Sequence, residues 1–205
     1  MTQIYLISPP KIELENFSIQ LNLALKTKKV PVFQLRLKGY EDQEIVKIGK
    51  KLIEICHQNQ TLFILNDRLD LALEIGANGV HLGADDGDIV KAKNDSPKNF
   101  IVGASCYDSK DLAVTAIQNG VDYVSFGTFF ESSTKNSKGH PNPEILTWCD
   151  DLFGVQSVAI GGINQENCQQ LIEAKADFLA VISYVWDNKN GVEFAIDQLF
   201  DCVNK

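Results

Sequence analysis

Eight short apolar runs, rich in β-branched residues, alternate along the chain with stretches whose apolar residues recur every three or four positions. Read as strands, the runs are Ile4 to Ser8, Val30 to Leu37, Leu62 to Asn66, Gly79 to Gly83, Phe100 to Cys106, Tyr123 to Gly127, Ser157 to Ile163 and Phe178 to Val185. Helices are expected between and after them, near residues 14–28, 41–58, 68–75, 86–94, 108–119, 143–151, 165–174 and 191–203. The second helix shows the spacing most plainly, with Ile45, Ile48, Leu52 and Ile55 on one face. Asp108 or Ser109 stands where the fifth helix should start, and Asn164 where the seventh should, with Asn167 three residues on. Gly76, Gly120 and the Asn188–Gly191 segment stand where helices should stop.

Two helix-to-strand joins are nearly the same sequence: Glu74-Ile75-Gly76-Ala77-Asn78-Gly79-Val80 and Ile117-Gln118-Asn119-Gly120-Val121-Asp122-Tyr123-Val124. A third, Glu173-Ala174-Lys175-Ala176-Asp177-Phe178-Leu179, has the same shape with Lys175 in place of the glycine. Eight strand–helix units with a period of about 25 residues fit a closed parallel (β/α)8 barrel of the TIM type, one domain over residues 1–205. An open doubly wound sheet also alternates strand and helix. Ser8-Pro9-Pro10 follows the first strand, where a dinucleotide-binding sheet would carry Gly-x-Gly-x-x-Gly.

Composition narrows the class. With 205 residues, 44% hydrophobic and 22% charged, the chain can bury a sizeable core. Its first eight residues are too short and too sparsely apolar for a signal peptide, and no run approaches the roughly 18 apolar residues of a membrane span. The five cysteines, Cys56, Cys106, Cys149, Cys168 and Cys202, show no metal-ligand spacing and read as reduced thiols of a cytoplasmic protein. A net charge of −8 argues against a nucleic-acid partner. An anionic ligand would therefore need a local cationic site.

Such a site is written in Phe33-Gln34-Leu35-Arg36-Leu37-Lys38. Alternate residues of a strand share a face, so Gln34, Arg36 and Lys38 are expected on one side and Phe33, Leu35 and Leu37 on the other. An amide, a guanidinium and an ammonium together suit a phosphorylated ligand with hydrogen-bonding groups. A solvent-facing edge strand with two surface cations has the same pattern. In a barrel, chemistry belongs at the C-terminal strand ends. The polar exceptions gather there: Arg36 and Lys38, Asn66-Asp67-Arg68, His81 with Gly83-Ala84-Asp85-Asp86, Ser105, Ser132-Ser133-Thr134-Lys135, Gly161-Gly162 and Ser183.

Asp67 and Asp86 come from neighbouring strand ends and could share one hard cation, magnesium, which takes one or two carboxylates plus phosphate oxygens and water. Next to Arg36, Lys38 and Lys135 they make a diphosphate–metal site. Alternatively Asp67 pairs with Arg68 or caps a helix, and Asp86 is a helix cap. His81 reads as a structural strand histidine, and His57 and His140 as surface and loop residues. Ala159-Ile160-Gly161-Gly162-Ile163-Asn164 and Val181-Ile182-Ser183 fit the phosphate site that barrels build after strands seven and eight. A packing role for the glycine pair is the other reading.

In order along the chain, Gln34-x-Arg36-x-Lys38, Asn66-Asp67-Arg68, Gly79-Val80-His81-Leu82-Gly83, Ser132-x-Thr134-Lys135 and Ala159-Ile160-Gly161-Gly162-Ile163 resemble the motifs of the thiamine phosphate synthase family. The resemblance implies a (β/α)8 barrel that joins hydroxymethylpyrimidine diphosphate to a thiazole phosphate and releases pyrophosphate. It implies that Arg36, Lys38, Asn66 and Lys135 bind the diphosphate and that Asp67 and Asp86 hold Mg2+. Gln34 and Ser105 would contact the aminopyrimidine, and Ser132, Thr134, Gly162 and Ser183 the thiazole phosphate. The partners are then small molecules, with neither nucleic acid nor membrane. A single copy and a homo-oligomer both remain open.

Gly83-Ala84-Asp85-Asp86 departs from the family's usual Gly-Gln-Glu-Asp, and Pro143 stands near the place of a glycine common after the Thr-Lys pair. Two other functions stay in view. A thiazole tautomerase, on the same barrel, is distinguished by a histidine after the glycine of the sixth strand; Gly127-Thr128-Phe129 has none. A non-catalytic phosphate-ligand binder would need no carboxylate pair beside its cations.

Overall fold

The computed structural model describes residues 1–83, 87–131 and 140–204. Its eight strands are β1 (Gln3–Ile7), β2 (Val32–Leu35), β3 (Leu62–Asn66), β4 (Gly79–Leu82), β5 (Ile101–Tyr107), β6 (Tyr123–Phe126), β7 (Gln156–Ile160) and β8 (Phe178–Val181). All pair in parallel with their sequence neighbours, and β1 closes on β8, giving the (β/α)8 barrel that the repeat predicts. The open sheet is excluded. Around the barrel run α1 (Leu14–Lys26), α2 (Asp42–Gln58), α3 (Leu69–Ile75), α4 (Ile89–Asp95), α5 (Lys110–Gln118), α6 (Glu144–Phe153), α7 (Gln169–Glu173), the short α8 (Ser183–Trp186) and α9 (Val192–Val203).

The two-residue alternation sorts the core into two layers. Ile4, Leu6, Phe33, Leu35, Phe63, Leu65, Val80 and Val102 pack outward against the helices. Tyr5, Ile7, Val32, Ile64, Tyr123, Val158, Phe178 and Ala180 fill the barrel. Two glycines leave room for their neighbours on this inward face. A Cβ on Gly103 would stand 2.0 Å from the ring of Tyr123, and one on Gly79 would stand 2.3 Å from the carbonyl oxygen of Ile101.

Three elements are shorter than their apolar runs suggest. Strand β2 ends at Leu35, so Arg36, Leu37 and Lys38 lie past the ladder, and the expected strand to Leu37 is corrected. Strand β7 ends at Ile160 because Gly161 and Gly162 turn with φ of 107° and 64°. The run expected to carry β8 to Val185 breaks at Ile182, and Ser183 instead opens α8. The indole N–H of Trp186 donates to the carbonyl of Ile7 at 2.6 Å, which holds that turn against the end of β1. A buried hydrogen bond won over β-propensity there.

The repeated joins have a physical meaning. Gly76 and Gly120 take left-handed backbones, φ 73° and 87°, and Lys175 adopts the same conformation at 69°. Two residues later comes a clamp. Asn78 donates its N–H to the carbonyl of Phe63 (2.9 Å), and its Oδ1 accepts the N–H of Phe63 (2.8 Å). Asp122 does the same with Val102 (2.8 and 2.7 Å), and Asp177 with Ser157 (3.1 and 2.8 Å). Each clamp ties the start of an even strand to the start of the odd strand before it. A carboxylate is the stronger acceptor, because the bond is charge-assisted.

Removing such an acceptor leaves the N–H of a buried strand residue without that partner. Asp177→Ala should destabilise the fold by about 2 kcal/mol, seen as a lower urea midpoint with unchanged slope. An unchanged midpoint would show that the clamp is idle.

Candidate active site

The C-terminal strand ends gather the polar residues. Gln34, the last inward residue of β2, is buried at 3% exposure, and its Nε2 donates to Oδ1 of Asn66 at 3.0 Å. Asn66 ends β3 and stands in register with His81 of β4. Beyond the end of β2, the chain is held by the N–H of Arg36 donating to Ser8 Oγ at 2.9 Å. Among the described residues the guanidinium of Arg36 has no ion-pair partner.

Lys38 and Asp67 face each other across the β2 and β3 ends, Nζ to Oδ2 3.6 Å, with side chains 54% and 23% exposed. Asp67 has φ 65°, a conformation uncommon outside glycine and tolerated best by Asn and Asp. Two backbone bonds hold it there: the N–H of Asp67 to the carbonyl of His81, and the N–H of Arg68 to the carbonyl of Asn66, both 2.8 Å. Strained backbone of this kind collects at functional sites, where the surroundings over-determine it. Lys38, Asn66 and Asp67 line one open hollow of about 280 Å3, floored by Leu37, Ile45 and Leu65.

Arg68 lines the same hollow, but its guanidinium is engaged by other carboxylates. Its guanidinium forks onto both oxygens of Asp42 in α2 and onto both oxygens of Asp70 at the start of α3. Those bonds hold the Asp42 and Asp70 carboxyls below the usual carboxylate range. The expected alternative of an Asp67–Arg68 pair is therefore corrected: Asp67 pairs with Lys38, and Arg68 fastens the β3–α3 turn to α2. Nor does Asp67 open α3, whose N-cap is Arg68.

The glycine pair after β7 packs closely against the segment following β6. A Cβ on Gly161 would lie 2.0 Å from Thr128 Cγ2, and one on Gly162 would lie 2.4 Å from the Glu131 carbonyl oxygen. The N–H groups of Phe129 and Phe130 donate to the carbonyls of Ile160 and Gly161, both at 3.1 Å. The packing explanation of the pair is thus established, whatever else its backbone does. Thr128 occupies the place where a tautomerase would carry histidine, and its carbonyl lies 2.9 Å from Nδ1 of His140.

Ser105 sits on β5, half-buried, with its Oγ 2.9 Å from Nε2 of His81. His81 is more than the isolated strand histidine read from the sequence. Its Nδ1 is 2.9 Å from the hydroxyl of Tyr123, which is 2.8 Å from the hydroxyl of Tyr5. Neither tyrosine was expected as part of the site. The available signal was parity: Tyr5 and Tyr123 fall on the inward positions of β1 and β6, the same face of the sheet as Gln34, His81 and Ser105.

The expected roles of Asp86, Ser132, Thr134 and Lys135 lie outside the described residues. Among the described residues, no three His, Cys, Asp or Glu side chains gather as a metal cage. Burial pushes the thiols of Cys106 and Cys149 up, to about 12 and about 11, so neither is a thiolate nucleophile near neutral pH. No helix among the described residues is long and apolar enough to cross a membrane.

A family model described as thiamine monophosphate synthase matches residues 4–185. The thiamine-phosphate synthase of Rhodospirillum centenum is 41% identical over 194 residues, covering 95% of this chain and 94% of its own length. That of Pelagibacter ubique is 41% identical over 91% of this chain and 89% of its own. The solved thiamine phosphate pyrophosphorylase of Pyrococcus furiosus superposes with a TM-score of 0.85 at 31% identity, over 98% of this chain and 95% of that one. A 3-hexulose-6-phosphate synthase of Salmonella typhimurium, at TM-score 0.77 and 12% identity, shares the fold alone.

The Arg68 fork gives a check on the site's scaffold. Asp42 and Asp70 have lowered pKa values in the fold, so their stabilisation is present above about pH 4, the unfolded carboxylate value, and is lost as pH falls through the lowered ones. Arg68→Ala should lower the unfolding midpoint at pH 7 and low salt. The difference from the native chain should shrink in 1 M salt and vanish in strong acid. A difference that persists under both conditions would mean that packing, and not the ion pairs, is what was lost.

Proposed function

The chain belongs to the thiamine monophosphate synthase family, and we propose that its barrel mouth couples hydroxymethylpyrimidine diphosphate to hydroxyethylthiazole phosphate, giving thiamine phosphate and pyrophosphate. The observation that carries the site assignment is the Lys38–Asp67 pair with Asn66 in one open hollow, with Arg36, which has no ion-pair partner among the described residues, two positions before Lys38. Cations and a carboxylate in one hollow are a sensible host for a diphosphate that brings its own metal ion. A phosphate alone would not want the carboxylate.

The donor chemistry fits magnesium. Asp67 offers hard oxygen, and a Mg2+ ion is usually held by one or two carboxylates, phosphate oxygens and water. In this reading Asp67 and Asp86 would hold the ion, which would supply positive charge to the leaving diphosphate. Arg36, Lys38, Asn66 and Lys135 bind the same diphosphate. Gln34 and Ser105 hold the aminopyrimidine. Gly162, Ser183, Ser132 and Thr134 receive the thiazole phosphate at the end of the barrel where the fold commonly binds phosphate.

The reaction needs no nucleophile from the protein. The C–O bond between the pyrimidine methylene and the diphosphate breaks, its electron pair leaves with pyrophosphate, and the thiazole nitrogen supplies the pair for the new C–N bond. Catalysis then rests on stabilising the leaving group and on holding two substrates in line. The cations and hydrogen-bond donors described above suit both tasks. A cytoplasmic location belongs to this reading, supported by five cysteines that form no disulfide.

Given both organic substrates and Mg2+, the purified protein should release pyrophosphate and thiamine phosphate together. Without the thiazole, release should be slow or absent. A folded sample that binds the pyrimidine diphosphate and releases none with both substrates present would overturn the assignment.

Asp67→Asn, which tolerates the left-handed backbone, should lower turnover by at least about a hundredfold, the scale of a lost charge-stabilising group. Its magnesium dependence should move to higher concentration, with the unfolding midpoint little changed. Near-normal rates at ordinary magnesium would remove Asp67 from the metal site.

A further inference from the structure

The barrel interior holds a line of four polar side chains, of which the reaction as described uses only the last, Ser105. Tyr5, Tyr123, His81 and Ser105 are joined end to end at 2.8, 2.9 and 2.9 Å. Tyr5 is 3% exposed, Tyr123 5% and His81 8%. Their surroundings are apolar: Ile7, Val32, Ile64, Val158 and Phe178 close around the phenols. Tyr5 has no other hydrogen-bond partner among the described residues.

Counting protons fixes the direction of this line. Burial raises the pKa of both phenols, so each keeps its proton near neutral pH. Two links, Tyr5 to Tyr123 and Tyr123 to His81 Nδ1, use two protons. If Nδ1 also carried a proton, three donors would share those two links and one O–H would be stranded in an apolar pocket. A stranded donor of this kind is disfavoured by about 1–3 kcal/mol. The arrangement that strands none runs one way: Tyr5 donates to Tyr123, Tyr123 donates to Nδ1, and the proton of His81 sits on Nε2. That Nε2–H then donates to Ser105 Oγ, and the hydroxyl proton of Ser105 has to point elsewhere.

We propose that Tyr5 and Tyr123 lock His81 as its Nε2–H tautomer and thereby make Ser105 a dedicated hydrogen-bond donor at the barrel mouth, selecting a ligand with a lone-pair acceptor there, such as a ring nitrogen of a heteroaromatic base. His81 and Tyr123 are positioning residues in this scheme. They act through Ser105 and touch no substrate. The ligand's identity rests on the function proposed above; the tautomer and the direction of the line do not. Gln34 is fixed in a related way, since its Nε2 is engaged by Asn66 and its Oε1 is left to accept. The mouth thus presents one donor and one acceptor of assigned polarity, which fits a base carrying both a ring nitrogen and an amino group.

Two measurements test it. Nitrogen-15 NMR of the ligand-free native protein, with the three histidines separated through His57→Gln and His140→Gln, reads the tautomer of His81 directly. The expected result is protonation at Nε2 alone near neutral pH. Protonation at Nδ1, alone or together with Nε2, would overturn the proposal, and this readout involves no substrate. In the second, Tyr123→Phe and Ser105→Ala should each raise KM for the pyrimidine diphosphate roughly tenfold, about one hydrogen bond, while kcat stays within about twofold. The double variant should be no worse than either single one, because both cut the same line. Fully additive effects, or a loss confined to kcat, would reduce Tyr123 to a core residue.

Discussion

An eight-stranded barrel encloses a space just wide enough for its own side chains to fill, and here Tyr123 and Phe178, at the starts of β6 and β8, fill it with Tyr5 of β1. The tilted Tyr5–Tyr123 and edge-on Tyr5–Phe178 pairs, with centroids 5.9 and 6.1 Å apart, exhaust the room. Gly103 must therefore be bare, because a Cβ there would collide with the ring of Tyr123, while Gly79 is kept bare by the Ile101 carbonyl oxygen and the Ile64 side chain beside it. Two residues further along the same strands come His81 and Ser105, raised above the rings on the same face. Packing at one level of the barrel thus dictates where polar groups can stand at the next. The phenols that fill the core also carry the hydrogen bonds that orient them.

Electrostatics at the mouth depends on how the cations are shared out. The chain carries a net charge of −8, so anions are not drawn by its overall field. Arg68 is consumed by Asp42 and Asp70, two bidentate contacts that make it a fastener. Among the described residues Lys38 meets only the longer contact to Asp67, at 3.6 Å and largely in solvent, an interaction worth little by itself and easily rearranged. Arg36 has no acidic partner among the described residues. Of three cations close in sequence to the strand ends, the one with the strongest intramolecular bonds is the one that a ligand cannot recruit.

The barrel was legible because its signals were local and repeated: apolar runs at an even period, and three joins of one shape. Even the exception held, since Lys175 takes the left-handed conformation that its alignment with Gly76 and Gly120 implies. Element ends were less legible. Nothing in Val181-Ile182-Ser183-Tyr184 announces that Trp186 will find the Ile7 carbonyl and turn the chain out of β8. Likewise, Gln34-x-Arg36-x-Lys38 reads as a single strand face, but β2 stops at Leu35, and Lys38 reaches Asp67 from a turn. The Asp67–Arg68 adjacency misled for a simple reason: neighbours in sequence at a strand end diverge, and Arg68 found better acceptors on α2 and α3. The tyrosine line joins residues up to 118 apart in sequence, so only the closure of the barrel brings it together.

The two ends of the barrel hold carboxylates and amides in opposite roles. At the N-terminal ends, Asn78, Asp122 and Asp177 spend their acceptors on strand N–H groups within 2.9 Å, and those contacts replace water with backbone. At the C-terminal ends, Asp67 stands on a left-handed backbone, with its Oδ2 3.6 Å from the exposed Lys38. The first arrangement gains stability from every bond it closes. The second places its carboxylate through main-chain hydrogen bonds on either side of it, so that the backbone sets where the group stands. Separating the two roles onto opposite ends lets the same residue type serve both, with β-strands of four to seven residues as the rigid spacer between them.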